Sequence, residues 1–427
     1  MRKTFKICTL SIVTILSLLV YNTNNYEYDS KNIVKNNRIN INNEIKNVIL
    51  FIGDGMGPTH VDAASVRKGS PLCFWDETNT DWTYHGYVNT DSLTSEGFTL
   101  DTSKTLLNPK YNSSLYDNAV SPYGASGNYM SNTCYTDSAA GGTALATGYK
   151  TTNAALGVNP HGEKLTNLVE IAVGLNKKAG VVSTDSLTGA TPASFISHVD
   201  ERHKGDEIIK SALNSNANLL MAVKPDEWTD TYTNSYKNKG YNVSFSWDNA
   251  KVDSEKEIIL FDHLLAGSSL TPSLTDLTIY ALDKLDNENG FFLMVEGANI
   301  DKAAHENQAG KMIQETLDFD EAIYNATLWA GDRGDTLICV TADHETGAIY
   351  FDSDKATKEN IYDEVKFLSY NHSRTRVPIS VFGDASEFFE TYAQYLSVLG
   401  PIDKGLESEN KNYIDNTDVF KLCASYL

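Results

Sequence analysis

Four short apolar runs constrain this chain most. They read "NVILFIGDG", "AGVVSTDS", "GFFLMVEG" and "DTLICVTADH", and predict strands near Val48–Ile52, Gly180–Thr184, Phe291–Val295 and Thr336–Thr341. Each is apolar at successive residues instead of alternating, as a strand covered on both faces must be. Helical spacing precedes the last three. Leu165, Leu168, Val169 and Ala172 form one stripe. Leu274, Leu277, Ala281 and Leu285 form the next, with Ser273 and Asp276 placed as a capping box. Ile313, Leu317, Ala322 and Ile323 begin the third. Strand and helix in alternation predict an α/β fold, a mostly parallel central sheet with helices on both faces. Sites on such sheets lie at the C-terminal strand ends. Asp54, Glu296 and Asp343 stand just past the ends of three of the four runs.

The chain has 427 residues, which one large sheet can absorb. Residues 47–427 therefore read as a single catalytic domain, with polar insertions near 70–130 and 225–257. Ahead of it, Arg2, Lys3 and Lys6 precede the uncharged, mostly apolar stretch Ile7–Tyr21. Residues 1–21 read as a signal peptide or, since no small-x-small cleavage site is clear, as an uncleaved N-terminal anchor. Residues 22–46 hold nine Asn and no apolar period, the composition of a flexible tether. The expected location is exported: extracellular, periplasmic or at the cell surface, with membrane anchoring by the N-terminal segment left open. Lys plus Arg number 35 against 56 Asp plus Glu, a net charge of -21. That balance argues against nucleic-acid binding as the main role. It leaves room for a small phosphate substrate, because bound metal can override the global field locally. The five cysteines include no CxxC, so a cysteine zinc site is not expected. Cys339 lies in an apolar run and reads as a buried thiol; one disulfide is open, with no pairing named.

The chemistry clusters at the predicted strand ends. In "GDGMG" the glycines allow a tight turn that exposes Asp54. In "EGANIDKAAHENQ", Asp301 and His305 are four apart and share one helix face. They form a zinc half-site or, more blandly, an exposed ion pair. "TADHETG" adds Asp343 and His344. Two oxygen–nitrogen pairs with Asp54 and Glu296 exceed what solvation of one sheet edge requires. In "NTCYTDSAAGGTALATG", Ser138 follows Asp137 and opens a run of small residues, yet its nearest histidines in sequence are His85 and His161. A nucleophilic serine without a nearby base needs another source of activation, and a metal ion is one.

These features resemble the alkaline phosphatase family, over roughly Asn47 to Gly383. The motifs are "FIGDGMG", "TDSAAGGTALATG", "ATPASFISHVDER", "VEGANIDKAAH", "TADHETG" and "NHSRTRVPISVFG". The resemblance implies hydrolysis of phosphate monoesters of broad range through a phosphoseryl intermediate, with two zinc ions and one magnesium. Ser138 would be the nucleophile beside the second zinc, which Asp343 and His344 also hold. Asp54 would bridge that zinc and the magnesium, whose site Thr191 and Glu296 complete. Asp301, His305 and His372 would hold the first zinc. Arg202 would fork onto two phosphate oxygens, oriented by Asp137, and Lys302 would reach phosphate through water. The resemblance implies a homodimer and leaves a monomer open. The residue types agree: magnesium suits the oxygen set, zinc the mixed set, and Arg202 gives a planar, permanent charge. His60, His85, His161, His198, His203 and His263 lack a second ligand at metal spacing, and His198 is expected to pack beneath the site.

A phosphodiesterase of the same superfamily and a catalytically inactive surface-binding protein are the alternatives. Against the first, an arginine on two non-bridging oxygens takes the space of a diester's second substituent. The complete ligand set stands against the second. One position departs from the family. Two residues before the magnesium threonine, the family often carries Asp or His where this chain has Gly189. The expectation is weak magnesium retention that Gly189→Asp would correct, unless another residue fills that space.

Overall fold

The computed structural model describes residues 45–92, 135–249, 254–266, 271–390 and 413–427. The signal or anchor, nearly all of the Asn-rich tether, most of the first insertion, Cys8 and Cys134 lie outside them. The strands are β1 (Asn47–Gly53), β2 (Trp82–Asn89), β3 (Lys178–Ser186), β4 (Leu219–Val223), β5 (Tyr241–Ser244), β6 (Lys256–Phe261), β7 (Phe291–Gly297) and β8 (Thr336–Thr341). After them come β9 (Glu345–Thr346), β10 (Ile349–Tyr350), β11 (Lys366–Phe367), β12 (His372–Ser373), β13 (Val377–Phe382) and β14 (Tyr413–Asp415). The helices are α1 (Pro58–Lys68), α2 (Ser138–Thr147), α3 (Leu168–Gly174), α4 (Ala190–Ile196), α5 (Gly205–Ala212) and α6 (Asp230–Asn238). They continue with α7 (Leu274–Leu285), α8 (Asn299–His305), α9 (Ala309–Ala330), α10 (Ile361–Glu364) and α11 (Asn416–Ser425).

Ten strands form one sheet in the order β14-β2-β13-β8-β1-β7-β3-β4-β6-β5. Only β13 runs antiparallel to its neighbours, β2 and β8. All four predicted strands are present and adjacent, as β8-β1-β7-β3. Every residue of β1, β7 and β8 is buried, as their unbroken apolar runs demand. Helices α1, α7, α8 and α9 pack among themselves, as do α2, α3, α4 and α11, and both groups rest on β7. The two groups therefore cover opposite faces. Helix α7 starts at the expected capping box, with Ser273 accepting from the Asp276 backbone.

Parallel register aligns the strand ends. Ile52 pairs with Glu296 and Thr341, and Ser183 pairs with Glu296. Asp54, Glu296 and Asp343 thus emerge along one edge. The two segments read as insertions contribute to the sheet. Residues 225–257 contain α6 and β5, its edge strand, and β2 from the first segment lies between β14 and β13. The polar composition of β5 fits its edge position, which has one flank open to water. Among the described residues Cys73, Cys339 and Cys423 are free thiols, with Cys339 buried as expected. No helix there is long and apolar enough to cross a membrane.

Candidate active site and metal centre

Ser138 is the first residue of α2, and Asp137 is its N-cap. The Asp137 carboxylate, buried at the helix start, accepts from Ala140 N at 2.9 Å, Ala154 N at 3.0 Å and Arg202 Nη1 at 3.1 Å. It therefore fixes both the nucleophile's helix and the arginine. Helix α2 is buried along its whole length, which explains its small residues. A β-carbon at Gly141 would sit 2.9 Å from the Asp343 carbonyl oxygen, and one at Gly142 3.3 Å from Thr191 Cα. Gly55, with φ of 70°, packs so closely on Asp301 that a β-carbon would lie 2.9 Å from its Cα.

The histidine missing around Ser138 in sequence arrives from β8. His344 Nε2 lies 3.1 Å from Ser138 Oγ, 3.3 Å from Asp343 Oδ2 and 3.5 Å from Asp54 Oδ1. Three oxygens converge on one ring nitrogen that could carry at most one hydrogen. His344 stacks on His372 at 3.5 Å between centroids, and His305 Nε2 faces His372 Nε2 at 3.1 Å. Asp301 Oδ2 lies 3.3 Å from His305 Nε2, and Oδ1 lies 3.8 Å from His372 Nε2.

The tautomers follow from the other ring nitrogens. His305 Nδ1 donates to the Tyr370 carbonyl and His372 Nδ1 to the Thr136 carbonyl, at 2.7 Å for the latter. Thr346 Oγ1 donates to Asp301, so toward His344 Nδ1, 3.3 Å away, it can only accept. In their neutral forms, which metal ligation requires, all three rings carry hydrogen on Nδ1 and turn an Nε2 lone pair toward the carboxylates and Ser138. Lone pairs facing lone pairs and carboxylates are repulsive unless a cation lies between them, and such backbone or side-chain acceptors commonly fix metal-binding histidines.

The ligand atoms of Asp301, His305 and His372 lie within 4.8 Å of one another, as do those of Asp54, Asp301 and His344. Asp301 belongs to both groups, where the sequence reading gave it to one. Asp343 stands against the second group: its Oδ1 accepts from Gly55 N at 3.2 Å and His344 N at 2.9 Å, while Oδ2 has no hydrogen-bond partner. Asp54 Oδ1, Thr191 Oγ1 and Glu296 Oε1 are also buried and lack one. These four oxygens belong to residues assigned as ligands from sequence, and burying polar groups unpaired is costly. The donor set fits metal cations. Electrostatics point the same way. Burial, then the neighbouring Asp343, Asp301 and Glu296 charges, raises Asp54 well above the carboxylate range. Burial and the Asp185 charge raise Glu296 to about 8, and burial with Asp301 raises Asp343 to about 7. Burial would lower His305, but the hydrogen bond and charge of Asp301 outweigh it and raise it to about 9.

Several contributors escaped the sequence reading. Ser183 donates to Glu296 Oε2, leaving Oε1 as that carboxylate's open oxygen. Thr346 holds Asp301, and Glu345 accepts from Ser373 beside His372, bracing the β9–β12 ladder. Asp185 ends β3 and pairs with Lys302. Its signal was visible: "VVSTDS" is the fourth apolar run, and it too delivers a carboxylate at its end. Asp185 also corrects the expectation for Gly189. A β-carbon at 189 would lie 2.6 Å from Asp185 Cγ and 2.9 Å from the Ser186 carbonyl oxygen. That space is already filled, so Gly189→Asp alone would collide instead of tightening the site. His198 bonds Gly157 O and Glu170 Oε1, each at 2.8 Å, through its two nitrogens, and so serves packing.

The alkaline phosphatase family model matches residues 99–224 and 246–394. Alkaline phosphatase 4 of Bacillus subtilis is 33% identical over 320 residues, covering 71% of this chain and 62% of that protein. The repressible alkaline phosphatase of Saccharomyces cerevisiae is 30% identical, covering 71% of this chain and 55% of that protein. The chain therefore spans less than two thirds of the length of these curated relatives. Among solved structures, alkaline phosphatase from the Antarctic bacterium TAB5 superposes with a TM-score of 0.63 at 25% identity, over 90% of this chain and 97% of that one. A variant of that enzyme holds Mg in its M3 site. Alkaline phosphatases are metal-dependent, and this chain belongs to the alkaline phosphatase family.

Proposed function

We propose that the chain hydrolyses phosphate monoesters of broad range to alcohol and inorganic phosphate, through a phosphoseryl intermediate on Ser138, with two zinc ions and one magnesium ion bound. The observation that carries this reading is the convergence of three Nδ1-protonated imidazoles on Asp301, Asp54 and Ser138. Asp301, His305 and His372 would hold one zinc. Asp54, Asp343, His344 and Ser138 would hold the other. Asp54, Thr191 and Glu296 would hold magnesium, for which the M3 site of the TAB5 variant is the precedent. Imidazole with carboxylate suits zinc, and an oxygen set suits magnesium. When bound, these ions lower the pKa of the serine hydroxyl and neutralise charge on the attacking and leaving oxygens.

The chain's own groups do the rest. Arg202, held by Asp137, grips two non-bridging phosphate oxygens with its fork. The N-terminus of α2 adds favourable dipole to that anion. Ser138 gives up its hydroxyl proton to solvent and Oγ bonds to phosphorus as the ester P–O bond breaks; the alcohol oxygen departs with the electron pair and takes up a proton from water. Water then attacks the phosphoserine, freeing phosphate and restoring the hydroxyl. Lys302 stands beside the site and reaches phosphate through water. Export through residues 1–21 and assembly as a homodimer belong to the same reading.

The test is hydrolysis of a chromogenic monoester and diester, each with and without chelator. Monoester turnover that chelator abolishes is expected. Preferred diester turnover would favour the phosphodiesterase, and turnover of neither the inactive binding protein.

A further inference from the structure

Two groups not assigned from sequence, Ser183 and Asp185, border the oxygen-only set. Ser183 donates to Glu296 Oε2 and accepts from Asp185 N at 2.8 Å. Asp185 then turns its carboxylate onto Lys302 Nζ. That carboxylate also fills the volume over Gly189, two residues before Thr191. Glu296 Oε1 and Thr191 Oγ1, both on buried residues whose side chains lie against each other, make no hydrogen bond of good geometry. Asp185 is thus the acidic group at the rim of the set, and a lysine is locked to it.

We propose that Asp185 is a positioning residue for the third-metal site: from the end of β3 it supplies the outer carboxylate and anchors Lys302, in the space that Gly189 leaves open. The inference rests on the phosphatase reading above. Carboxylate at 185 and glycine at 189 are reciprocal, since the two positions share one volume. A hydrated magnesium needs acceptors beyond its direct ligands, and an anion at this rim serves that need. Ser183 couples the two shells, because the Asp185 backbone orients the hydroxyl that holds Glu296.

The experiment moves the carboxylate. Zinc-loaded wild type, Asp185→Ala, Asp185→Asn, Gly189→Asp and the double variant Asp185→Ala/Gly189→Asp are titrated with magnesium by calorimetry, with melting temperatures recorded. Both single changes at 185 are expected to weaken magnesium about 10-fold or more. Gly189→Asp alone should lower the melting temperature without tightening magnesium. The double variant removes the carboxylate clash, leaving the contact with the Ser186 carbonyl, and should recover part of the lost affinity. Magnesium affinity unchanged in Asp185→Ala and Asp185→Asn would overturn the proposal. So would tightening by Gly189→Asp alone, or a double variant no better than Asp185→Ala. Failure of the phosphatase reading shows differently, as wild type that neither binds magnesium nor turns over the monoester.

Discussion

Replacing Asp137 separates two duties that one carboxylate performs. Its oxygens hold the Ala140 and Ala154 amides and the Arg202 guanidinium, at 2.9, 3.0 and 3.1 Å. Losing an N-cap costs about 1 kcal/mol, and each bond involving a charged group contributes about 1.5–3 kcal/mol. The contributions overlap, because one side chain makes them all. Asp137→Ala should therefore destabilise the protein by about 3 kcal/mol. Asp137→Asn behaves differently. Its amide oxygen can keep the Ala140 cap, but the NH₂ then faces the Ala154 and Arg202 N–H groups, donor against donor. Asn should cost less stability than Ala, yet loosen Arg202 and weaken inhibition by inorganic phosphate by about tenfold, or about 1.4 kcal/mol. Chemical denaturation of the metal-loaded proteins measures the first quantity. Competition of phosphate against a chromogenic monoester measures the second. An Ala variant that loses under about 1 kcal/mol, or an Asn variant with unchanged phosphate inhibition, would refute this account of Asp137.

Ser138→Ala should remove nearly all turnover while leaving the fold intact; acid trapping with labelled phosphate, followed by peptide mapping, checks it, and a label elsewhere excludes Ser138. Asp301→Ala and His372→Ala should each lower bound zinc, and the double variant should lose no more than the greater single loss, apart from any effect of Asp301 on the second group; two full zincs lost in the double after one in each single would place them in different sites. Chelated protein should lose stability as pH rises from about 7 to about 9. Glu296 and His305 have folded values raised to about 8 and about 9, so the folded state holds more protons than the unfolded one in that window. His344 and His372 are lowered, and both are neutral there in either state, so they do not oppose the trend. Melting temperatures of chelated and metal-loaded protein across this range test it: a flat or rising profile after chelation would contradict the sign.

The sequence by itself determined the elements and most of the chemistry. Unbroken apolar runs can be stable only when covered on both faces, so β1, β3, β7 and β8 were legible. Asp301 and His305, four apart, share a helix face whatever surrounds them. A carboxylate following a parallel strand falls on the functional edge, which located Asp54, Glu296 and Asp343. Which groups meet was legible only through the family resemblance; physically, tertiary structure decides it. Nothing local brings His344 to Ser138, 206 residues away, or lets Asp301 face both metal groups. The histidine tautomers depend on the Tyr370 and Thr136 carbonyls and on Thr346, acceptors that every chain offers in abundance and only folding selects. Gly189 shows the same limit. Read alone, it is a missing side chain; in the fold, its volume is taken by Asp185 from the neighbouring strand end. Local sequence sets conformational preference and burial pattern, whereas a shared volume between two side chains exists only once the backbone has brought them together.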